Sequence, residues 1–97
     1  MNLFKYLWGE IKIELEALIG AGKLPQGLDL GRFSVEPPRD PAHGDIATNA
    51  AMVLARDAKA KPRDLAEQIA AKLRADDLIA SVDVAGRNQI EIGRAHV

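Results

Sequence analysis

The chain has 97 residues, 47% of them hydrophobic and 28% charged, a composition that is typical of one globular domain or of part of a longer chain and excludes a disordered segment. It lacks cysteine, which excludes disulfides, cysteine-ligated metal sites and thiol nucleophiles. The 13 Lys and Arg residues against 14 Asp and Glu residues give a net charge of −1, which excludes bulk attraction to nucleic acid but permits a local basic patch. No apolar run approaches the roughly 18–20 residues of a membrane span, and a cytoplasmic protein is expected.

The first predicted element is an amphipathic helix over residues 2–20, because apolar residues recur there at three- and four-residue steps. Glycines and Pro25 end this helix, since glycine supplies a left-handed cap and proline cannot continue it. A loop rich in glycine and proline covers residues 23–31. Alternation of apolar and polar residues over 33–36 then predicts a half-buried strand, which Pro37 stops.

Two consecutive helices are predicted in the middle of the chain. Residues 37–44 hold three prolines and are expected to be extended or turning. Asp45 is predicted to cap a helix over 46–57, whose stripe of alanines should pack closely against another element. Pro62, at a first helical position, opens the next helix, which is expected to end at Asp76.

The last predicted element is a β-hairpin. Residues 81–84 and 89–92 alternate apolar and polar side chains around a turn at 86–88, and the segment with Ile90 and Ile92 is expected to pair as an edge strand. Two helices flanked by strands, without regular βαβ alternation, predict an α+β fold. We expect three helices packed on a small antiparallel sheet of three or four strands.

Candidate catalytic and metal-binding residues are few. His43, Asp40 and Asp45 lie close together in one loop, but two carboxylates and one imidazole without a further ligand make a poor metal site. A loop histidine beside a helix-capping aspartate is the favoured interpretation. No phosphate-cradling loop and no nucleophile elbow occurs in the sequence, so we predict no catalytic residue, no metal and no cofactor site.

The charged residues are distributed unevenly. Residues 55–75 contain six basic and three acidic side chains, and four basic residues crowd the connection between the second and third helices: Arg56, Lys59, Lys61 and Arg63. Phosphate binding there would depend on salt and be blind to sequence. A solvated helix corner is the alternative interpretation. A DNA-reading helix-turn-helix is disfavoured, because Asp64 and Glu67 occupy the turn that would face the bases.

The segment Val35–Asn49 resembles the N-terminal additional domain of bacterial arginyl-tRNA synthetase, with a strand, a proline-rich turn and a His-Gly-Asp element in fixed order. The similarity continues through Ala50–Ala55 and Lys61–Glu67, and it covers roughly residues 1–86 as one domain. The resemblance implies a domain that precedes a class I catalytic core and grips the outer corner of tRNA near the D-loop. Its implied partners are tRNA that accepts arginine and the catalytic core of the same parent chain, without DNA or a membrane.

The resemblance also implies where catalysis resides. Arginylation uses ATP and arginine in the catalytic core, whose His-rich and Lys-rich signatures are absent from these 97 residues. The parent chain would therefore be an ATP-dependent arginine–tRNA ligase, and this chain alone is expected to bind tRNA without catalysing. ATP is expected in the core and not in this domain.

The end of the chain departs from the family. The family usually continues Pro-Gly-Phe-Ile-Asn after residue 86, where Arg87–Arg94 stands here. If Ile90 aligns with the family's isoleucine, Glu91 takes the place of the asparagine that meets a D-loop base, and a carboxylate there offers no donor to a base edge. Two interpretations stay open: an altered terminal strand, or an artificial extension over 87–97, whose last six residues resemble a translated sequencing adapter.

Two classes of function follow. A tRNA-binding module of arginine–tRNA ligase is supported by the motif string and by the basic residues at the helix connection. The alternative is an α+β protein–protein interaction or structural module without a nucleic-acid role. The nearly neutral net charge and the 4% aromatic content, which leaves few rings for base stacking, favour the alternative when the resemblance is set aside.

Overall fold

A computed structural model describes residues 2–38, 44–86 and 88–94. The elements in chain order are α1 (Leu3–Gly20), β1 (Val35–Glu36), β2 (Ile46–Thr48), α2 (Ala50–Ala58), α3 (Pro62–Arg74), β3 (Ile79–Val84) and β4 (Ile90–Arg94). The four strands form one sheet in the order β1-β2-β4-β3, and every neighbouring pair is antiparallel. The predicted α+β class, with three helices and a small antiparallel sheet, is confirmed.

Helix α1 forms where the apolar period predicts it. The Asn2 side chain caps its start, because Oδ1 accepts a hydrogen bond from the Lys5 amide at 3.2 Å. At its end the Lys23 and Leu24 amides both donate to the Leu18 carbonyl, and Gly22 takes the left-handed φ of +78° that this turn requires. The buried residues recur on one stripe: Leu7, Ile11, Leu15 and Leu18.

The core lies between the helices and one face of the sheet. The largest side chains that are fully buried come from all three helices and from the inner sheet face: Leu7, Ile11, Leu15, Leu54, Ile69, Leu73, Ile46, Ile90 and Ile92. Small residues let α2 approach α3 closely, since Ala51, Ala55 and Ala70 have no exposed surface. The predicted close packing of the alanine stripe is confirmed. Among the helices described, none is long and apolar enough to cross a membrane.

The predicted hairpin is present and its strands are longer than expected. Strand β3 pairs with β4 so that Val82 lies opposite Ile92 and Val84 opposite Ile90. The Ala85 amide donates to the Gln89 carbonyl at 2.8 Å and closes the turn, whose Arg87 lies outside the described residues. The expectation of an edge strand is wrong, because β4 lies between β2 and β3 in the sheet.

The predicted start of the second helix is wrong. Residues 46–48 form β2, which pairs with both β1 and β4, and α2 begins at Ala50. Asp45 therefore caps no helix. Its amide donates to the Ile92 carbonyl at 3.0 Å, and its Oδ2 accepts from the Arg94 amide at 3.1 Å, which extends the pairing of β2 with β4. Residues 46–48 join the sheet despite the local capping signal, because Ile46 is buried on the inner face of the sheet.

Thr48 supplies a side-chain hydrogen bond at the start of α2, where Asn49 is the N-cap residue. The Thr48 Oγ1 accepts from the Ala50 amide at 3.2 Å and donates to the Ser34 carbonyl at 2.8 Å. Strand β1 is shorter than predicted, since the Phe33 carbonyl accepts from Trp8 Nε1 at 3.2 Å instead of joining a strand ladder. These side-chain bonds join the loop before β1 to α1 and to the start of α2.

Candidate nucleic-acid interface

The connection between α2 and α3 brings four of the predicted residues together. Lys59 ends α2 in the left-handed region at φ 54°, and its amide donates to the Arg56 carbonyl at 3.3 Å. Lys61 is extended and Pro62 opens α3, where proline is pre-shaped for a first helical position. Four side chains are therefore exposed in or beside a short reversal, and we call them the basic corner: Arg56, Lys59, Lys61 and Arg63.

Positive charge predominates around the basic corner, and the exposed Asp64 in the first turn of α3 opposes it. Asp57 is already neutralised, because Arg32 Nη1 donates to its Oδ1 at 2.8 Å and to its Oδ2 at 2.7 Å. Arg63 Nε lies 3.4 Å from Glu67 Oε1, an exposed pair one helical turn apart that contributes only a few tenths of a kcal/mol. Within the described part of the chain, no ion pair or side-chain hydrogen bond engages the other three members of the corner.

A cleft beside the corner adds a fifth cation. It has a volume of about 170 Å³ and lies between the end of α1 and the start of α3. Lys23 and Lys61 line it together with Asp64, and leucines from both helices form its apolar part. Lys23 was missed by sequence reasoning. It belongs to the loop after α1, and only the packing of α1 against α3 brings it near Lys61.

Glu91 lies on a different surface. Its neighbours Ile90 and Ile92 are fully buried, so Glu91, between them on β4, projects from the outer face of the sheet. The strand register places Asp83 of β3 directly beside it. Ala47 of β2 is its other neighbour.

The outer sheet face is acidic across its width. Glu36 of β1 lies opposite Ala47, so that three carboxylates line up across the four strands, and we call them the acidic row: Glu36, Glu91 and Asp83. Glu91 and Asp83 carry like charges directly opposite each other on adjacent strands, an arrangement that is unfavourable for sheet stability. Because the helices pack on the inner face, the structure separates Glu91 from the basic corner in the helix layer.

The structure describes only one of the three loop residues weighed as metal ligands, so the absence of a metal there stays a prediction. Asp45 is engaged by backbone, and the other two loop candidates, Asp40 and His43, lie outside the described residues. Across residues 2–38, 44–86 and 88–94, no group of three His, Cys, Asp or Glu side chains could hold a metal ion.

One titratable group is strongly perturbed for a structural reason. The Tyr6 hydroxyl donates to Asp76 Oδ2 at 2.5 Å, and this hydrogen bond, followed by desolvation, raises the pKa of Tyr6 to about 12. The bond joins the start of α1 to the turn after α3. It lies apart from the basic corner and gives no reason to assign a catalytic role.

Comparison with known proteins decides the family. Residues 9–88 match the family model described as the arginyl tRNA synthetase N terminal domain. The chain belongs to this family. The resemblance carried by the proline-rich turn and the elements around it is therefore confirmed.

Several relatives of this domain are arginine–tRNA ligases that are much longer than this chain. The chain is 60% identical over 91 residues to the arginine–tRNA ligase of Nitrobacter winogradskyi, an overlap that covers 94% of this chain and 15% of the relative. It is 59% identical over 90 residues to that of Bradyrhizobium sp. strain ORS 278, covering 93% and 15%. For Parvibaculum lavamentivorans the identity is 53% over 92 residues, covering 95% and 16%. The chain thus spans about 15% of the length of these relatives.

The family match also bears on Glu91. It ends at residue 88, before β4 begins at Ile90. The alignment of Glu91 with the family's base-contacting asparagine therefore stays a prediction, as does the interpretation of residues 87–97.

Proposed function

We propose that this chain is the tRNA-binding N-terminal domain of an arginine–tRNA ligase and contacts the outer corner of tRNA near the D-loop. The basic corner carries the proposal. In a domain of this family, three exposed cations that no described side chain engages stand beside a neutralised aspartate, and phosphate is the anion that tRNA offers at every nucleotide.

The corner is suited to hold the RNA backbone and not to read bases. Arg56, Lys59, Lys61 and Arg63 are exposed side chains, and contacts from such side chains to phosphate fix position without reading sequence. A few phosphate contacts correspond to a weak affinity, with a Kd of about 10⁻⁴–10⁻⁶ M at physiological salt. The positive potential of the backbone amides at the start of α3 is offset by Asp64 in the first turn of that helix.

Base reading falls to the outer sheet face in this proposal. The resemblance places the D-loop contact at the position of Glu91, where a carboxylate has no donor for a base edge and lies beside Asp83. We therefore infer that this chain holds tRNA chiefly through its backbone and discriminates poorly between tRNAs.

Catalysis belongs to the rest of the proposed ligase. We propose that ATP and arginine bind in a catalytic core that follows this domain in the parent chain, and that this domain alone neither holds a cofactor nor forms an adenylate. Its two partners would be tRNA that accepts arginine and that core. The proposed setting is the cytoplasm.

The experiment is a titration of the chain with tRNA at several salt concentrations. Changing Lys59 and Lys61 together to Ala is expected to reduce the slope of log K against log salt by up to about two, since each lost phosphate contact accounts for about 0.7–0.9. The matched control changes Lys5 and Lys12 to Ala, which removes the same charge from α1. Equal slopes in the two double variants would refute the basic corner as the binding surface and favour the protein-interaction alternative.

A further inference from the structure

A second pocket lies beside α2. Arg32, Met52, Val53 and Arg56 line it, and its volume is about 160 Å³. Met52 and Arg56 are four residues apart and therefore adjacent on the helix surface. Met52 is 39% exposed, so much of this large apolar side chain is open to solvent.

Arg32, which lines one side of this pocket, is held in place at its guanidinium group and at its backbone. Its guanidinium is anchored by the two hydrogen bonds to Asp57, and only Nη1 is used in them. Its backbone adjoins Phe33, which is buried and stacked on Trp8 with ring centroids 5.2 Å apart. Residues on both sides of the pocket are thus tied to the domain, while the Arg32 side chain is about half exposed and Met52 is exposed.

The pocket combines three properties that together select a ligand. The charge of Arg32 is offset by Asp57, while no described partner offsets Arg56, so the pocket carries one net positive charge. Met52 and Val53 supply an apolar surface. A cavity of roughly 150 Å³ accommodates one aromatic ring such as benzene, and unstacked RNA bases bind on guanidinium planes.

We propose that this pocket binds one unstacked base of RNA, with the base against the Arg32 guanidinium and Met52 and its phosphate on Arg56. The inference rests on the proposed function for the nature of the ligand, and it adds a base-binding position in the helix layer. An isolated phosphate would contact Arg56 alone and would leave the apolar surface of Met52 and Val53 without a contact. A rigid duplex cannot supply a base to it, because its bases are stacked inside.

Met52→Ala is the decisive variant. It removes the apolar surface without changing charge, at an exposed helical position where alanine is favourable. We expect the affinity for tRNA and for a single-stranded oligouridine to fall about fivefold or more, with an unchanged salt slope and unchanged affinity for a blunt RNA duplex. Ile13→Ala, which trims a 54% exposed side chain on α1, is the matched control and should bind as the unmodified chain does.

Arg56→Gln tests the phosphate. It should reduce the salt slope by about 0.7–0.9 for oligouridine, whereas Lys5→Gln should not change it. If Met52→Ala binds tRNA and oligouridine within twofold of the unmodified chain, the proposal that this pocket binds a base is wrong. A reduced salt slope in the Lys59 and Lys61 double variant would still support the proposed function. If the chain binds oligouridine in a way that depends on Met52 but does not bind tRNA, the base-binding pocket is supported and the proposed function is refuted.

Discussion

The basic corner and the outer sheet face differ in charge and in how their side chains are held. The corner presents four cations on long, flexible stems at the ends of two helices, next to an aspartate that Arg32 neutralises. The sheet face presents carboxylates whose spacing is fixed by strand register, as for Glu91 beside Asp83. The net charge of −1 thus includes the contributions of a basic surface and an acidic surface that lie apart. The overall charge therefore does not describe the local charge of either surface.

The largest expected effect concerns the support beneath the corner. Leu65, 3% exposed, lies one turn into α3 and packs in the core. Leu65→Ala should reduce the free energy of unfolding by about 2–5 kcal/mol, through lost burial and the cavity that remains. Urea unfolding followed by circular dichroism measures this, with Glu67→Ala as the exposed control on the same helix. A loss below about 0.5 kcal/mol, the size of a surface change, would show that the corner is not anchored by this face.

The next largest effect concerns the hydrogen bonds of the buried Thr48 side chain at the end of β2. Thr48 is 2% exposed and its hydroxyl joins the loop before β1 to the first amide of α2. Thr48→Val keeps the shape but leaves the Ser34 carbonyl and the Ala50 amide without this partner, at a cost of about 1–3 kcal/mol. Thr48→Ser keeps the hydroxyl and should recover part of the loss. Equal unfolding free energies for Val and Ser at this position would contradict the role of the hydrogen bonds.

Strand β2 shows why this part of the fold escaped prediction. Helices α1 and α3 each repeat their apolar pattern over several turns, and both appear where the pattern places them. The three residues Ile46–Thr48 are too few to show a period, and an aspartate before alanines is typical of a capped helix. Only the pairing of β2 with β4, far along the chain, decides its structure.

Whether a surface could be predicted depends on whether its residues are close together in the sequence. Members of the basic corner are neighbours in sequence, so their clustering could be seen without a structure. Lys23 and Arg32 join the corner and the α2 pocket only through tertiary packing, and nothing in their local sequence marks them. The acidic row could not be predicted either, because it depends on a register across four strands.

A smaller effect concerns the bond between Tyr6 and Asp76, which lies on neither surface. Since the folded pKa of Tyr6 is raised to about 12 from about 10 unfolded, its stabilising contribution is complete below pH 10 and is lost as pH rises towards 12. The unmodified chain should therefore lose more stability than Tyr6→Phe between pH 10 and 12. Unfolding curves of both chains at matched pH values measure the difference. Parallel curves would show that the hydroxyl is not coupled to folding.

The smallest effect, and the one that sharpens the contrast most, is expected from Glu91→Asn. Asparagine provides a donor and an acceptor for a base edge, so binding should discriminate better between arginine-accepting tRNA and other tRNAs. The salt slope should change little, because no phosphate contact is added or removed. Asp83→Asn removes the same charge from the adjacent strand and serves as the control. If both variants strengthen binding to all tRNAs equally, the acidic row acts only by repelling phosphate, and the outer sheet face does not read bases.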